Sequence, residues 1–152
     1  MRLVKVTEEF YTKCKLNDTA QELMENEMGR PCVLLLNLEY RGIKREFVVP
    51  LRSNISGTAP KWQYLSLPPN AKTKPGKRHG VHYIKLFPIS DAYINKYVID
   101  GDDFLIKIND ILHRKQNDIV EACQNYLVEC ESGNIHSMTP NIDGIISWLD
   151  AE

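Results

Sequence analysis

The nine residues from Cys32 to Tyr40 constrain the fold more than any other stretch of this chain. Cys32-Val33-Leu34-Leu35-Leu36 is a continuous apolar run with Arg30-Pro31 before it, and Gly42 follows soon after. The interval is too short for a long helix and reads as a buried strand. Lys44-Arg45-Glu46-Phe47-Val48-Val49 returns as its partner across a short Arg41-Gly42-Ile43 connection, which makes the pair a hairpin. Pro50 has no N–H to give to a ladder, so it is expected to end the second strand's pairing or to place it on an edge.

The remaining segments must cover that hairpin. Leu3-Val4-Lys5-Val6 reads as a short opening strand. Thr7 followed by Glu8 and Glu9 offers a hydroxyl cap and first-turn acids, with Phe10, Tyr11 and Cys14 at helical spacing. Asp18 is placed to cap a second helix containing Leu23 and Met24 and ended by Gly29. After the hairpin, residues 53–78 read as one long irregular segment punctuated by Gly57, Pro60, Pro68, Pro69, Pro75 and Gly76. Such a loop in a compact domain is usually functional or disordered, and Trp62, Tyr64, Leu65 and Leu67 indicate that part of it packs. Residues 81–89 and 93–99 alternate as strands, the first of them central. Asp102 or Asp103 caps a long helix to Cys130 with a break near Gln116-Asn117-Asp118, and Gly133 ends it. Thr139-Pro140 opens a last amphipathic helix carrying Ile142, Ile145, Ile146, Trp148 and Leu149.

Short N-terminal helices, a sheet and long C-terminal helices make an α+β chain, and 152 residues suit a single domain over 1–152. Of the cysteines, Cys32 and Cys123 read as core, while Cys14 and Cys130 are expected to be half exposed. They form no C-x-x-C pair, and no histidine is spaced to complete a zinc site, so neither a metal nor a structural disulfide is expected. No apolar run approaches the ~18 residues of a membrane span, and MRLVKVTEEF lacks the apolar centre of a signal peptide. The expected location is the cytoplasm, away from membranes.

Charge is sorted along the chain. Residues 41–85 hold ten of the nineteen basic residues and one acid, Glu46, for a net +9. Residues 1–40 are net −2 and residues 91–152 net −8, so the near-neutral total hides a strongly positive middle. Like charges repel, and the useful product of gathering them is a local field that attracts a polyanion. Trp62, Tyr64 and Tyr83 lie among the cations and can stack on bases. The expected RNA contacts are Lys44, Arg45, Lys61, Trp62, Tyr64, Lys72, Lys74, Lys77, Arg78 and Lys85.

No phosphate-binding glycine loop and no G-x-S-x-G elbow is present, and Glu46 has no carboxylate partner in the basic stretch. What remains is Pro50-Leu51-Arg52-Ser53 at a strand end and Lys77-Arg78-His79-Gly80 before the next strand. If those strands are neighbours, both motifs converge, with Arg30 close by. Ser53, Arg52, Arg30 and His79 then supply a hydroxyl, cations and an imidazole. RNA carries its own nucleophile, the 2′-hydroxyl. An enzyme that cleaves it needs to orient that group, stabilise charge on phosphorus and move protons, and needs no metal or cofactor. His82 alternates with buried positions and reads as structural. The placement of His79 beside Arg78 and Lys77 is expected to favour its neutral form.

The hairpin, Val49-Pro50-Leu51-Arg52-Ser53, and the run from Arg78-His79-Gly80 through Val81-His82-Tyr83-Ile84-Lys85-Leu86-Phe87-Pro88-Ile89 resemble the ToxN/AbiQ family of type III toxin–antitoxin endoribonucleases, most of all its CptN-like branch. The order of elements matches over most of the chain; the motif part is short. The resemblance implies a strongly curved antiparallel sheet, or partly open barrel, with helices packed around it. It also implies metal-independent cleavage of cellular or phage RNA to a 2′,3′-cyclic phosphate and a 5′-hydroxyl, and a role in phage abortive infection. The implied partner is a small structured antitoxin RNA, processed from a repeat transcript and joined with the toxin in a cyclic assembly. Ser53 matches the family's serine after the Pro-Leu pair. Arg30 falls near its basic residue preceding the first central strand, and Arg52 stands where relatives often have Thr or Ser. The family's lysine shortly after the serine is replaced by Asn54 and Ile55, which leaves its task to Lys61 or the 77–79 cluster. Two other readings use the same patch: a non-catalytic RNA-binding module, and a protein whose basic loop docks on an acidic partner.

Overall fold

The computed structural model describes residues 1–23 and 29–152. Its spine is the hairpin of β2 (Cys32–Tyr40) and β3 (Ile43–Ser56). The two turn residues, Arg41 (φ 51°) and Gly42 (φ 78°), are both left-handed. A two-residue turn of that kind matches the twist of the flanking strands.

The pairing of β3 with β2 ends at Pro50, as expected, but the strand itself does not stop there. Pro50 lies opposite Cys32, the last β2 residue in register with β3. The next N–H, from Leu51, donates to the Pro31 carbonyl at 3.1 Å. Beyond that point β3 pairs with β5 (Lys77–His82), from Leu51 opposite Val81 to Ser56 opposite Lys77. The proline is tolerated because the strand passes from its β2 pairing to its β5 pairing there. On the β5 side, Phe47 and Val48 pair with β6 (Phe87–Pro88). With β1 (Arg2–Val6), β4 (Tyr64–Leu67) and β7 (Ile94–Lys96), the strand order is β4-β5-β3-β2-β1-β7, in an open, curved, antiparallel sheet.

Both faces of this sheet are covered, which is why β2 begins as an unbroken apolar run. Val33 and Leu35 face a core shared with the helices α2 (Asp103–Arg114) and α3 (Gln116–Glu131). Cys32 and Leu34 face a second core with α1 (Glu8–Leu16) and α4 (Ile142–Asp150), built on Phe10, Phe87, Tyr93 and Trp148. A bulge between Leu35 and Leu38 adds one residue to β2, exposes Leu36 and returns Leu38 and Tyr40 to the Val33 side.

Several local expectations need correction. Residues 53–78 are far less irregular than their prolines suggest. Ser53 to Ser56 extend β3, Lys61–Gln63 form a 3₁₀ turn, and β4 follows at once. Residues 81–89 are not one strand, because a 3₁₀ turn at Tyr83–Lys85 separates β5 from β6. The turn lets Tyr83, Ile84 and Leu86 all enter the core beside α3, which strict alternation would forbid. Only Ile94–Lys96 of the 93–99 stretch is strand. The long helix breaks at Lys115, one residue before the expected place. Asp18 begins no helix among the described residues, since 17–18 and 21–22 form turns and 19, 20 and Leu23 are irregular; Met24 lies outside the described residues. The last helix is capped by Asn141, whose side chain accepts from the Gly144 N–H, and not by Thr139, which is buried against Tyr126. All four cysteines are buried and unlinked, Cys14 and Cys130 included. Thr7 does cap α1 as expected, by accepting from the Phe10 N–H. No helix among the described residues is long and apolar enough to cross a membrane.

Candidate active site

The register of β3 against β5 brings the two expected motifs together. Arg52 lies opposite Gly80, but the next registered pair is Ile55 with Arg78, so β3 carries one extra residue at Ser53-Asn54. A bulge re-aims the side chains at its position, and here it falls on the candidate serine. Gly80 is required where it stands, because a Cβ there would run into the Leu65 carbonyl oxygen of β4.

Ser53, His79 and Arg30 line one cavity of about 650 Å³, closed on its other sides by the 69–72 turn and by Asp102, Phe104 and Leu105 at the start of α2. His79 is 5% exposed. Its Nδ1 is 2.7 Å from the Pro68 carbonyl oxygen. A carbonyl can only accept, so Nδ1 carries the proton and Nε2 is left as an acceptor. Phe104 stacks on the imidazole with ring centres 6.2 Å apart. Burial lowers the His79 pKa, partly opposed by the Pro68 contact. The neutral form is thus favoured as expected, but desolvation is the cause, not Arg78 or Lys77.

Ser53 Oγ accepts from Asn70 Nδ2 at 2.9 Å, which leaves its O–H to donate elsewhere. Asn70 Oδ1 also accepts from the Lys72 N–H and the Thr73 hydroxyl, so one amide both folds the turn and holds the serine. Arg30 Nη1 donates to the Leu51 carbonyl at 3.0 Å. Burial pushes the Arg30 pKa down to about 10, and it stays cationic at neutral pH.

Arg52 does not join that cavity. It pairs with Gly80 and so shares a face with His82, opposite to His79. Its Nη1 lies 3.2 Å from His82 Nδ1. The His82 pKa is pushed down to about 3 by burial, then by the Arg52, Lys85 and His136 charges, so the neutral ring accepts from Arg52. Lys85 is also buried, with Nζ donating at 3.0 Å to both the carbonyl and the carboxylate of Glu22.

The expected RNA contacts divide. Lys44, Lys61, Lys72, Lys74, Lys77, Arg78 and Trp62 are exposed, and Tyr64 is half-buried. Arg45 gives both ends of its guanidinium to Asp150, at 2.9 and 2.7 Å. Lys85 is internal, as is Tyr83. Sequence reasoning missed Asn70, Pro68 and Phe104. Pro68-Pro69-Asn70 carried a turn signal, since asparagine bonds its own backbone two residues on, but nothing in the sequence tied that turn to Ser53. Among the described residues no group of three or more His, Cys, Asp or Glu side chains is placed to hold a metal ion.

No family model matches the sequence, and no curated protein matches it. Solved structures do match its shape. One belongs to a bacterial antiviral system regulated by a processed non-coding RNA; its TM-score is 0.72 at 12% identity, over 100% of this chain and 99% of the other. A second belongs to a bacterial type III toxin–antitoxin system with selective toxin inhibition by a non-coding RNA pseudoknot; its TM-score is 0.67 at 12% identity, over 99% and 96% of the two chains. At that identity the likeness is one of fold, and it runs over nearly the whole of both chains.

Proposed function

We propose that this protein is a type III toxin–antitoxin endoribonuclease, held in check by a small structured non-coding RNA. The observation that carries the reading is the placing of Ser53, His79 and Arg30 around one cavity, on the same fold as proteins of RNA-regulated antiviral and toxin–antitoxin systems. The chemistry follows from the acceptor left on His79 Nε2, the Ser53 O–H and the positive charge of Arg30. His79 Nε2 takes the proton of a 2′-hydroxyl, the 2′-oxygen bonds to phosphorus, and the bond from phosphorus to the 5′-oxygen breaks. The 5′-oxygen leaves as a hydroxyl after taking a proton from the protonated imidazole or water. The products are a 2′,3′-cyclic phosphate and a 5′-hydroxyl. The Ser53 O–H and the Arg30 guanidinium stabilise charge on the phosphoryl oxygens, the task that usually dominates such catalysis. Lys72, in the cavity wall, and exposed Lys74, Lys77 and Arg78 attract the backbone.

Incubation of the purified protein with an unstructured RNA in EDTA tests this. Cleavage to cyclic-phosphate and 5′-hydroxyl ends is expected. Salt-sensitive binding without cleavage would instead make the protein an RNA-binding module.

A further inference from the structure

A second cavity, of about 680 Å³, lies between the 3₁₀ turn at Lys61–Gln63 and α3. That turn buries Gln63 and leaves Trp62 54% exposed, the reverse of what burial of apolar surface would select. One side of the indole rests on Tyr126, with ring centres 5.9 Å apart and planes at 32°. An exposed indole braced by a second ring is a platform for a flat ligand, and every nucleobase has a π-face to offer.

The rest of the wall says what kind of flat ligand. Asp118 and Glu129 contribute carboxylates, Asn125 an amide and Lys61 an ammonium group. Glu129 Oε2 already accepts from Asn134 Nδ2 at 2.8 Å. Two carboxylates repel phosphate, so the occupant is not the RNA backbone that the free lysines attract. Carboxylates only accept hydrogen bonds, which selects a neutral ring with adjacent donors. Among RNA bases guanine alone presents two neighbouring donor groups, N1–H and the 2-amino group, on one edge, with an O6 acceptor beside them for Lys61 or Asn125.

We propose that this cavity is a slot for an unpaired guanine base of the bound RNA. The inference rests on RNA being the ligand of the basic face, and it adds a base-reading site to a phosphate site. Strand β5 carries the chain from His79 of the cleavage cavity to His82, roughly 10 Å at strand rise, and the 3₁₀ turn beyond it brings in Tyr83 of the slot. The guanine therefore belongs to a nucleotide other than the one cleaved at Ser53.

Neutral nucleosides test the slot without involving phosphate or cleavage. The protein is titrated with guanosine, adenosine, cytidine and uridine while tryptophan fluorescence is followed. Trp62 is exposed and Trp148, the other tryptophan, is buried, so quenching reports on Trp62. Guanosine should quench saturably, with little dependence on salt, and bind at least about fivefold tighter than the other three. Trp62→Ala should weaken guanosine binding, measured by equilibrium dialysis, at least about fivefold, the low end of the loss from one base–aromatic stack. Trp62→Phe keeps a ring and should retain most of the affinity. Asp118→Asn with Glu129→Gln should erase the preference for guanosine over adenosine. Absence of saturable guanosine binding, equal binding of all four nucleosides, a different base bound best, or full affinity in Trp62→Ala would each overturn the proposal. Because nucleosides carry no scissile bond, a protein that binds guanosine but cuts no RNA sinks the nuclease reading alone. One that cuts RNA but ignores guanosine sinks the slot alone.

Discussion

The hairpin end of the basic stretch and the loop end carry the same charge but spend it differently. At the hairpin, Arg41 bridges to Asp143 at 3.0 Å and Arg45 to Asp150 at 2.7 Å, so both cations dock the sheet onto α4. Beyond it, Lys61, Lys72, Lys74, Lys77 and Arg78 are exposed, and none has a carboxylate within 4.0 Å among the described residues. Charge sorting along a sequence therefore has two causes. One is the wish to attract a polyanion. The other is that a basic strand and an acidic helix far apart in sequence can be each other's partners. Counting charges cannot separate the two; pairing them can.

The sharpest way to break this comparison is at the cavity that Lys72, one of these free cations, lines. His79→Gln should lower single-turnover RNA cleavage about 10²–10⁴-fold, the usual worth of a positioned acid or base. The pH profile carries the mechanism. Burial lowers the His79 pKa from its ordinary value of 6.5, so the basic form fills as pH rises through that lowered value. Cleavage should climb with pH below about 6.5 and then level off, and the climb should vanish in His79→Gln. Unchanged pH dependence at near-normal rate would remove His79 from the chemistry. Stability has the same sign. A histidine with a depressed folded pKa resists protonation, so its contribution is intact above about 6.5 and lost as pH falls towards the folded value.

Ser53→Ala comes next. Loss of one donor to a phosphoryl oxygen should cost about 10²-fold in rate, with stability changed by roughly 1 kcal/mol or less, the net worth of one hydrogen bond. Asn70→Ala should reproduce part of the rate loss, because Asn70 is the donor that holds Ser53 Oγ. Full cleavage by a folded Ser53→Ala protein would exclude the hydroxyl.

These two residues mark where the sequence was legible and where it was not. Ser53 and His79 could be paired in advance because each stood at an end of an alternating run, and neighbouring strands bring such ends together. Arg52 was misplaced because neighbouring residues of a strand point to opposite faces: it pairs with Gly80 and so lies on the His82 side, while Ser53, the next residue, falls on the His79 side. The start of the hairpin was plain for a physical reason: where a strand is buried on both faces, as β2 is from Cys32 to Leu35, successive positions are apolar. Pro50 marked the end of the β2 pairing but not of the strand, because a proline is excluded from a ladder only where its N–H is needed, and at a change of partner strand it is not. Lys85 counted as surface charge, yet it is buried against Glu22, a contact from more than sixty positions away that no local pattern encodes.

Neutralising Lys72, Lys74 and Lys77 together tests the free half of the stretch. Each phosphate contact on single-stranded RNA contributes about 0.7 to the slope of log affinity against log salt, so the slope should fall by up to about 2. Weakening should be similar across RNA sequences, since phosphate contacts carry no sequence information. An unchanged slope would mean that these lysines face something other than RNA.

The smallest effect belongs to the docked half. Arg45→Gln should leave RNA binding and its salt slope unaltered, because the guanidinium is committed to Asp150. It should cost roughly 1 kcal/mol or less of stability, the range for an ion pair with a solvent-exposed partner, a shift of about 2–4 °C in Tm for a chain of this size. The loss should depend on pH. Arg45 holds the Asp150 carboxyl below its ordinary value, and a carboxylate with a lowered folded pKa contributes stability that is present above its unfolded pKa of about 3.9 and disappears as pH falls through the folded value. Wild type and Arg45→Gln should therefore differ in thermal unfolding at pH 7 and converge in acid. If Arg45→Gln instead flattens the salt slope of RNA binding as strongly as loss of a loop lysine, Asp150 releases the guanidinium to the RNA, and the hairpin cations belong to the same binding field as the loop.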